Sequence, residues 1–346
     1  MKSLKYTIPI LIIISIFWRI PIIHADILPI TDNSSIDFTY EYNSEKNITK
    51  EINIDQIITD APSYWGAIND TYLNRQWPLI KMSIPALNYF EKQVPILVAV
   101  LDTGIDKNHE DLRGKVIAEV NFSESSSSDD FNGHGTFIAG IIAANIDNGI
   151  GIAGISPNCS LLNVKVIDDE GYCKGTDIAQ GIVWATDHGA KVINVSIEYN
   201  TGFHRLEEAV NYAWDNGALV ISAASNQVIT PVYPAYYENC IAVLATDKGD
   251  TEGPLTGYGD WVDVAAPGLV VFSTLPNDNY GYESGTSFAV AHVSALASLL
   301  FSIAKDTNLD GKLNDEVRSA IQNGTYKIGE NNFPHIDAAE SICFFK

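Results

Sequence analysis

Pro95-Ile-Leu-Val-Ala-Val-Leu101 is an unbroken apolar run that stops at Asp102. Four more short runs rich in Val and Ile follow: Leu161-Leu-Asn-Val-Lys-Val-Ile167, Val192-Ile-Asn-Val-Ser196, Ala218-Leu-Val-Ile-Ser222 and Ile241-Ala-Val-Leu244. Strands without polar alternation are buried on both faces, the mark of a parallel sheet covered by helices. Between them, Asp177 to His188 and Arg205 to Asn216 have helical spacing. Each is followed by a glycine, Gly189 or Gly217, suited to a helix C-terminus. The fold class that follows is α/β: a doubly wound, mostly parallel sheet flanked by helices, from about residue 84 to 340. Reactive groups in such sheets gather at the carboxyl ends of strands.

The rest of the chain is consistent with export. Lys2 and Lys5 precede an apolar run from Tyr6 to Trp18, with a small residue, Ala25, beyond it. That pattern predicts a cleaved signal over residues 1–25, because Pro9, Arg19 and Pro21 break the stretch below spanning length. Residues 26–60 are polar, apart from an alternating, strand-like stretch Ile36–Tyr42, and read as a short propeptide or N-terminal extension. The 43 acidic against 21 basic side chains give a net charge of −22, which argues against nucleic-acid binding and against anionic membranes. Four cysteines (Cys159, Cys173, Cys240, Cys343) fit no zinc or CxxC spacing; one or two disulfides and buried free thiols both stay open.

Three segments carry chemistry. In Val98-Ala-Val-Leu-Asp-Thr-Gly-Ile-Asp106, Asp102 sits just past a strand, where a carboxylate is shielded yet reaches a neighbour. In Asn132-Gly-His-Gly-Thr-Phe-Ile-Ala-Gly140, His134 opens an apolar helix, and Gly135, Ala139 and Gly140 let that helix pack closely. In Ser284-Gly-Thr-Ser-Phe-Ala-Val-Ala-His292, Ser287 stands at the start of a long apolar helix whose positive end favours an alkoxide or oxyanion. Ser123 to Asp130 reads as a solvated loop.

In the order Asp, His, Ser these segments resemble the motifs of subtilisin-like serine proteases, which have that triad order. The likeness spans about residues 70 to 340, including Tyr233-Pro-Ala235 and Ala265-Ala-Pro-Gly268. It implies a single peptidase domain over residues 61–346 and a secreted serine endopeptidase acting on peptide or protein substrates. Such a protein is expected to be a monomer, without nucleic acid and without a stable membrane anchor. Asp102, His134 and Ser287 take the triad roles, with Asn226 as oxyanion donor beside the Ser287 N–H. Ser196, Ile197, Glu198 and Ser225 fall on the substrate-binding segments. Glu198 and the loop acids Asp168-Asp-Glu170 imply a negative rim and a preference for basic residues before the cut. Asn145–Gly154 resembles a calcium loop, with side chains of Asp111 and Asn148 and carbonyls of Ile146, Ile150 and Ile152 as ligands.

The chain departs from the family pattern at Phe137 (usually His), Phe288 (Met), Ala291 (Pro), Ser225 (Gly) and Ser284 (Asn). Phe288 and Ser225 are expected to reshape the pocket. Asp306-Thr-Asn-Leu-Asp-Gly-Lys-Leu313 copies the opening of an EF-hand loop but has Val317 where its closing Glu belongs. A turn with Asn314 capping the next helix is expected instead. His292, inside the serine helix, is expected to bond locally. The rival class is a non-catalytic binding module on the same fold. An α/β-hydrolase fails on chain order and on the missing Gly-x-Ser-x-Gly elbow.

Overall fold

In chain order the elements are α1 (Trp77–Lys81), β1 (Leu97–Asp102), β2 (Val116–Asn121), α2 (His134–Ala143), β3 (Ser160–Lys165), α3 (Gly175–Asp187), β4 (Val192–Val195), α4 (His204–Asp215), β5 (Leu219–Ala223), β6 (Cys240–Thr246), β7 (Val264–Pro267), β8 (Val271–Leu275), β9 (Asn279–Glu283), α5 (Thr286–Phe301), α6 (Asn314–Asn323), β10 (Thr325–Ile328), β11 (Phe333–Ile336) and α7 (Ala338–Cys343). The computed structural model describes residues 68–84, 94–225, 230–251, 259–329 and 332–345. The expected export signal, the 26–60 extension with its Ile36–Tyr42 stretch, and Asn226 lie outside these.

Nine strands form one sheet in the order β10-β11-β7-β6-β5-β4-β1-β3-β2. Every described pairing in it is parallel except β10 with β11. The chain therefore runs outward from β1 in one direction through β3 and β2, and in the other through β4 to β7. Such a reversal beside β1 opens a crevice at its carboxyl end. Four of the five apolar runs became strands buried along their whole length or nearly so: β1, β3, β4 and β5. The fifth lies in β6, also fully buried. β2 escaped the sequence reading because an edge strand is half exposed, and its residues alternate in burial.

Helices cover both faces. α2 and α5 share one core with Val98, Val100, Ile221 and Val243 of the sheet, while α3 and α4 pack Ile178, Ile182, Leu206 and Val210 against Ala99, Leu101 and Val220 on the other. α5 is buried almost all round, which its sequence of Ala, Val, Leu and small Ser permits. A separate hairpin, β8 with β9, lies against α2: Ser273 Oγ and Thr274 Oγ1 donate to the Phe137 and Thr136 carbonyls, each at 2.8 Å. All four cysteines are free, three buried and Cys343 exposed.

Candidate active site

Asp102 ends β1, fully buried, and its Oδ1 accepts the Thr103 N–H at 2.8 Å. The same oxygen lies 2.7 Å from His134 Nδ1. That contact requires α2 to approach the strand end closely, and Gly135 makes it possible. A Cβ there would stand 2.0 Å from the Gly104 carbonyl oxygen. Asp130 anchors the helix start. Its Oδ1 accepts from Gly133 N–H (2.8 Å) and the Thr103 hydroxyl (2.9 Å), and its Oδ2 from Thr136 N–H (2.9 Å). Asp130 is thus buried and structural, which corrects its assignment to a solvated loop. A lone acid in a serine-rich run gives no sign of this before folding.

Ser287 is the second residue of α5, after Gly285 at the cap. The next side chain, Phe288, sets its ring centroid 5.6 Å from that of His134, so the start of α5 abuts the imidazole. A buried chain of bonds ties this helix to the sheet: Ser294 Oγ donates to Asn194 Oδ1 (3.0 Å) and Asn194 Nδ2 to Ser196 Oγ (3.0 Å). Ser196 Oγ in turn donates to the Ser287 carbonyl at 3.3 Å. Phe288 does not reshape an open pocket. It is 1% exposed and packs at 4.5 Å between ring centroids on Phe137, also 1% exposed. Two of the departures from the family pattern thus fill one space together.

Burial opposes a charge on His134, but Asp102, aided by Asp130 and Glu283, outweighs it and raises the imidazole pKa above its usual value. With a proton on Nδ1 facing Asp102, Nε2 is the ring nitrogen with basic character. Lys165 is the register partner of Asp102, fully buried, donating to the Thr103 carbonyl and pairing with Asp169 at 2.8 Å. It joins β1 to the loop that follows β3.

Residues 95–337 match the subtilase family. The chain belongs to that family. It is 43% identical to thermitase of Thermoactinomyces vulgaris over 263 residues, 75% of this chain and 92% of thermitase. It is 45% identical to a thermophilic serine proteinase of Bacillus sp. (strain AK1), over 67% of this chain and 56% of that protein. Subtilisin DY of Bacillus licheniformis is 39% identical over 65% of this chain and 83% of its own length. Among solved structures, a protease of Pseudoalteromonas arctica PAMC 21717 superposes with a TM-score of 0.73 at 25% identity, covering 81% of this chain and all of that one. The subtilase is a subtilisin-like serine protease.

Of the residues expected to meet substrate in this subtilase, Ser196, Ile197 and Ser225 are buried, and Glu198 is half-buried. The expected rim is weaker than its acids suggest. Asp169 is paired with Lys165, Lys174 with Glu124, and Asp168 Oδ1 accepts the Glu170 and Tyr172 N–H groups.

Asp111 and Asn148 do meet: Asn148 Nδ2 donates to Asp111 Oδ1 at 2.8 Å, and Ile152 N–H to its Oδ2 at 2.8 Å. Asp70, which the sequence reading missed, joins them through the N–H groups of Asp147 (3.0 Å) and Asn148 (3.1 Å). Burial pushes both carboxyls up, Asp111 to about 6, with Asp70 adding to the effect on Asp111. Two buried acids whose bonded partners are amides fit a hard cation, which neutralises both. Among the described residues no three His, Cys, Asp or Glu side chains converge, so carbonyls such as those of Ile146, Ile150 and Ile152 must complete the oxygen set.

The EF-hand-like loop folds on itself, Asp306 accepting from Leu309 N–H (2.6 Å) and Gly311 N–H (2.9 Å). Asn314 does not cap α6. Its amide donates to the Trp214 carbonyl at 3.0 Å, and the cap position is Leu313, without a side-chain bond. His292 bonds locally, Nδ1 lying 2.7 Å from the Phe288 carbonyl.

Proposed function

We propose that this subtilase is a secreted endopeptidase that hydrolyses peptide bonds through Asp102, His134 and Ser287. The observation that carries the reading is the 2.7 Å contact between His134 Nδ1 and buried Asp102, set against a helix start that presents Ser287. A serine hydroxyl is a weak nucleophile unless a base takes its proton. His134 Nε2 is that base, and it later returns the proton to the leaving amine. Asp102 fixes the tautomer and stabilises the imidazolium as it forms. The oxyanion would be met at the positive end of α5 by the Ser287 N–H; Asn226, outside the described residues, is the second donor that the family resemblance implies, and losing such a donor costs on the order of 10² to 10³ in turnover.

Export rests on the apolar N-terminal segment, and among the described residues no helix is long and apolar enough to cross a membrane. A calcium ion held by Asp70, Asp111, Asn148 and neighbouring carbonyls would neutralise the buried acids and pin residues 68–72 to the loop after α2. Glu198 and Glu170 support a mild preference for basic residues before the cut.

A fluorophosphonate probe, which labels only an activated serine, tests the reading. Labelling of the wild type and its loss in Ser287→Ala is the expected result. No labelling of the folded wild type would favour the binding-module alternative.

A further inference from the structure

Asn194 is a fully buried carboxamide in β4, opposite Val100 of β1 and Ile221 of β5. Strand alternation puts it on the side of Val192, which lies in the core shared with α5, while Ile193 and Val195 face α3 and α4. Ser294 meets it from α5. That residue is also fully buried and lies seven positions beyond Ser287, two turns along the same side of the helix. A buried hydroxyl is costly unless it is bonded. Ser294 Oγ donates to Asn194 Oδ1 at 3.0 Å, and this contact orders the rest. With its oxygen turned to Ser294, the amide presents Nδ2 to Ser196 and donates to that Oγ at 3.0 Å. An amide nitrogen accepts no proton in return. The Ser196 hydroxyl therefore directs its own proton onward, to the Ser287 carbonyl at 3.3 Å. Were the amide turned over, its oxygen would take the Ser196 proton, and the Ser287 carbonyl would lose that donor.

We infer that Ser294 and Asn194 are positioning residues for the nucleophile: a hydroxyl two turns inside α5 sets the orientation of the amide, and through Ser196 it holds the backbone of Ser287. The proposal rests on the endopeptidase reading and deepens it. The attacking hydroxyl stands one rotatable bond from that backbone, so a shift of the Ser287 carbonyl carries the Oγ with it. A misplacement of about 1 Å costs on the order of 10² in rate. Reactive groups keep their geometry when a packed, hydrogen-bonded layer behind them fixes it. Both residues are buried in the interface between sheet and helix and act through Ser196, so their removal bears on the chemical step and leaves substrate binding largely as it was.

The test compares wild type with Ser294→Ala, Ser294→Thr and Ser294→Val. Thr and Val are both β-branched and differ by the hydroxyl, so their ratio separates the bond from the packing. The quantities read are the rate of fluorophosphonate labelling, and kcat and KM per labelled serine, with Tm alongside. Ser294→Ala and Ser294→Val are expected to lose roughly tenfold in labelling rate and in kcat, less than a full ångström of misplacement would cost. KM should stay within about twofold. Ser294→Thr should remain near wild type. A merely structural role would lower Tm and leave the rates per labelled serine unchanged. Wild-type rates in folded Ser294→Ala, or equal rates in the Thr and Val variants, overturn the proposal alone. No labelling of the folded wild type removes it together with the endopeptidase reading.

Discussion

At the scale of single residues, the electrostatics of His134 make a measurable claim. Its pKa is raised in the folded protein, so the neutral imidazole that serves as base is reached only above the ordinary histidine value. The acidic limb of kcat/KM for the free enzyme is therefore expected above about pH 6.5. Removing the Asp102 charge with Asp102→Asn should move that limb to lower pH and cut kcat by on the order of 10⁴, through the wrong tautomer. A limb that stays put in the variant would show that Asp102 does not govern the imidazole. The Asp102–His134 contact and the place of Ser287 at a helix start were legible in the sequence because their segments resemble the family's motifs, with Gly104, Gly133, Gly135 and Gly285 close by. Asp70, Asp130 and Lys165 were not. A lone acid in a polar stretch and a lysine in an apolar strand look solvated or accidental until folding buries them.

At the scale of elements, α5 carries both the proposed nucleophile, Ser287, and a hidden acid sensitivity. His292 lies inside it, 2% exposed, and burial pushes its pKa down to about 4. A histidine held neutral by folding adds stability that is complete above its unfolded value near 6.5 and is lost as pH falls toward 4. A shift of this size is worth about 3 kcal/mol. Urea midpoints measured between pH 7 and 4.5 should fall steeply for the wild type and less so for His292→Gln. Equal slopes would mean that other groups set the acid limit. His335, also pushed down to about 4 by burial, is the neighbour that should account for part of the remaining slope. The strands β1, β3, β4, β5 and β6 were readable as continuous apolar runs. β2 and the β10–β11 pair were not, since a half-exposed edge strand has no pure apolar run and strands of four residues carry too short a pattern to stand out.

At the scale of the molecule, the sheet order places β1 beside both β3 and β4, and the site forms where the winding reverses. The cation proposed at Asp70 and Asp111 would link the start of the described chain to the loop after α2, so it should act on global stability. A ligand present at a hundred times its Kd adds about 2.7 kcal/mol, roughly 4–5 °C in Tm for a chain of this size. Chelator should lower Tm by that amount in the wild type and have little effect in Asp111→Ala. An unchanged wild-type Tm would remove the cation from the account.

The central claim is that three side chains from β1, α2 and α5 work as one unit. The most direct measurement is kcat for Ser287→Ala, His134→Ala and the triple variant that also carries Asp102→Ala. The account predicts a loss on the order of 10⁶ for either single variant, as when subtilisin loses the corresponding groups, and no further loss in the triple. Losses that instead add from one substitution to the next, or a Ser287→Ala enzyme that retains its turnover, would contradict it.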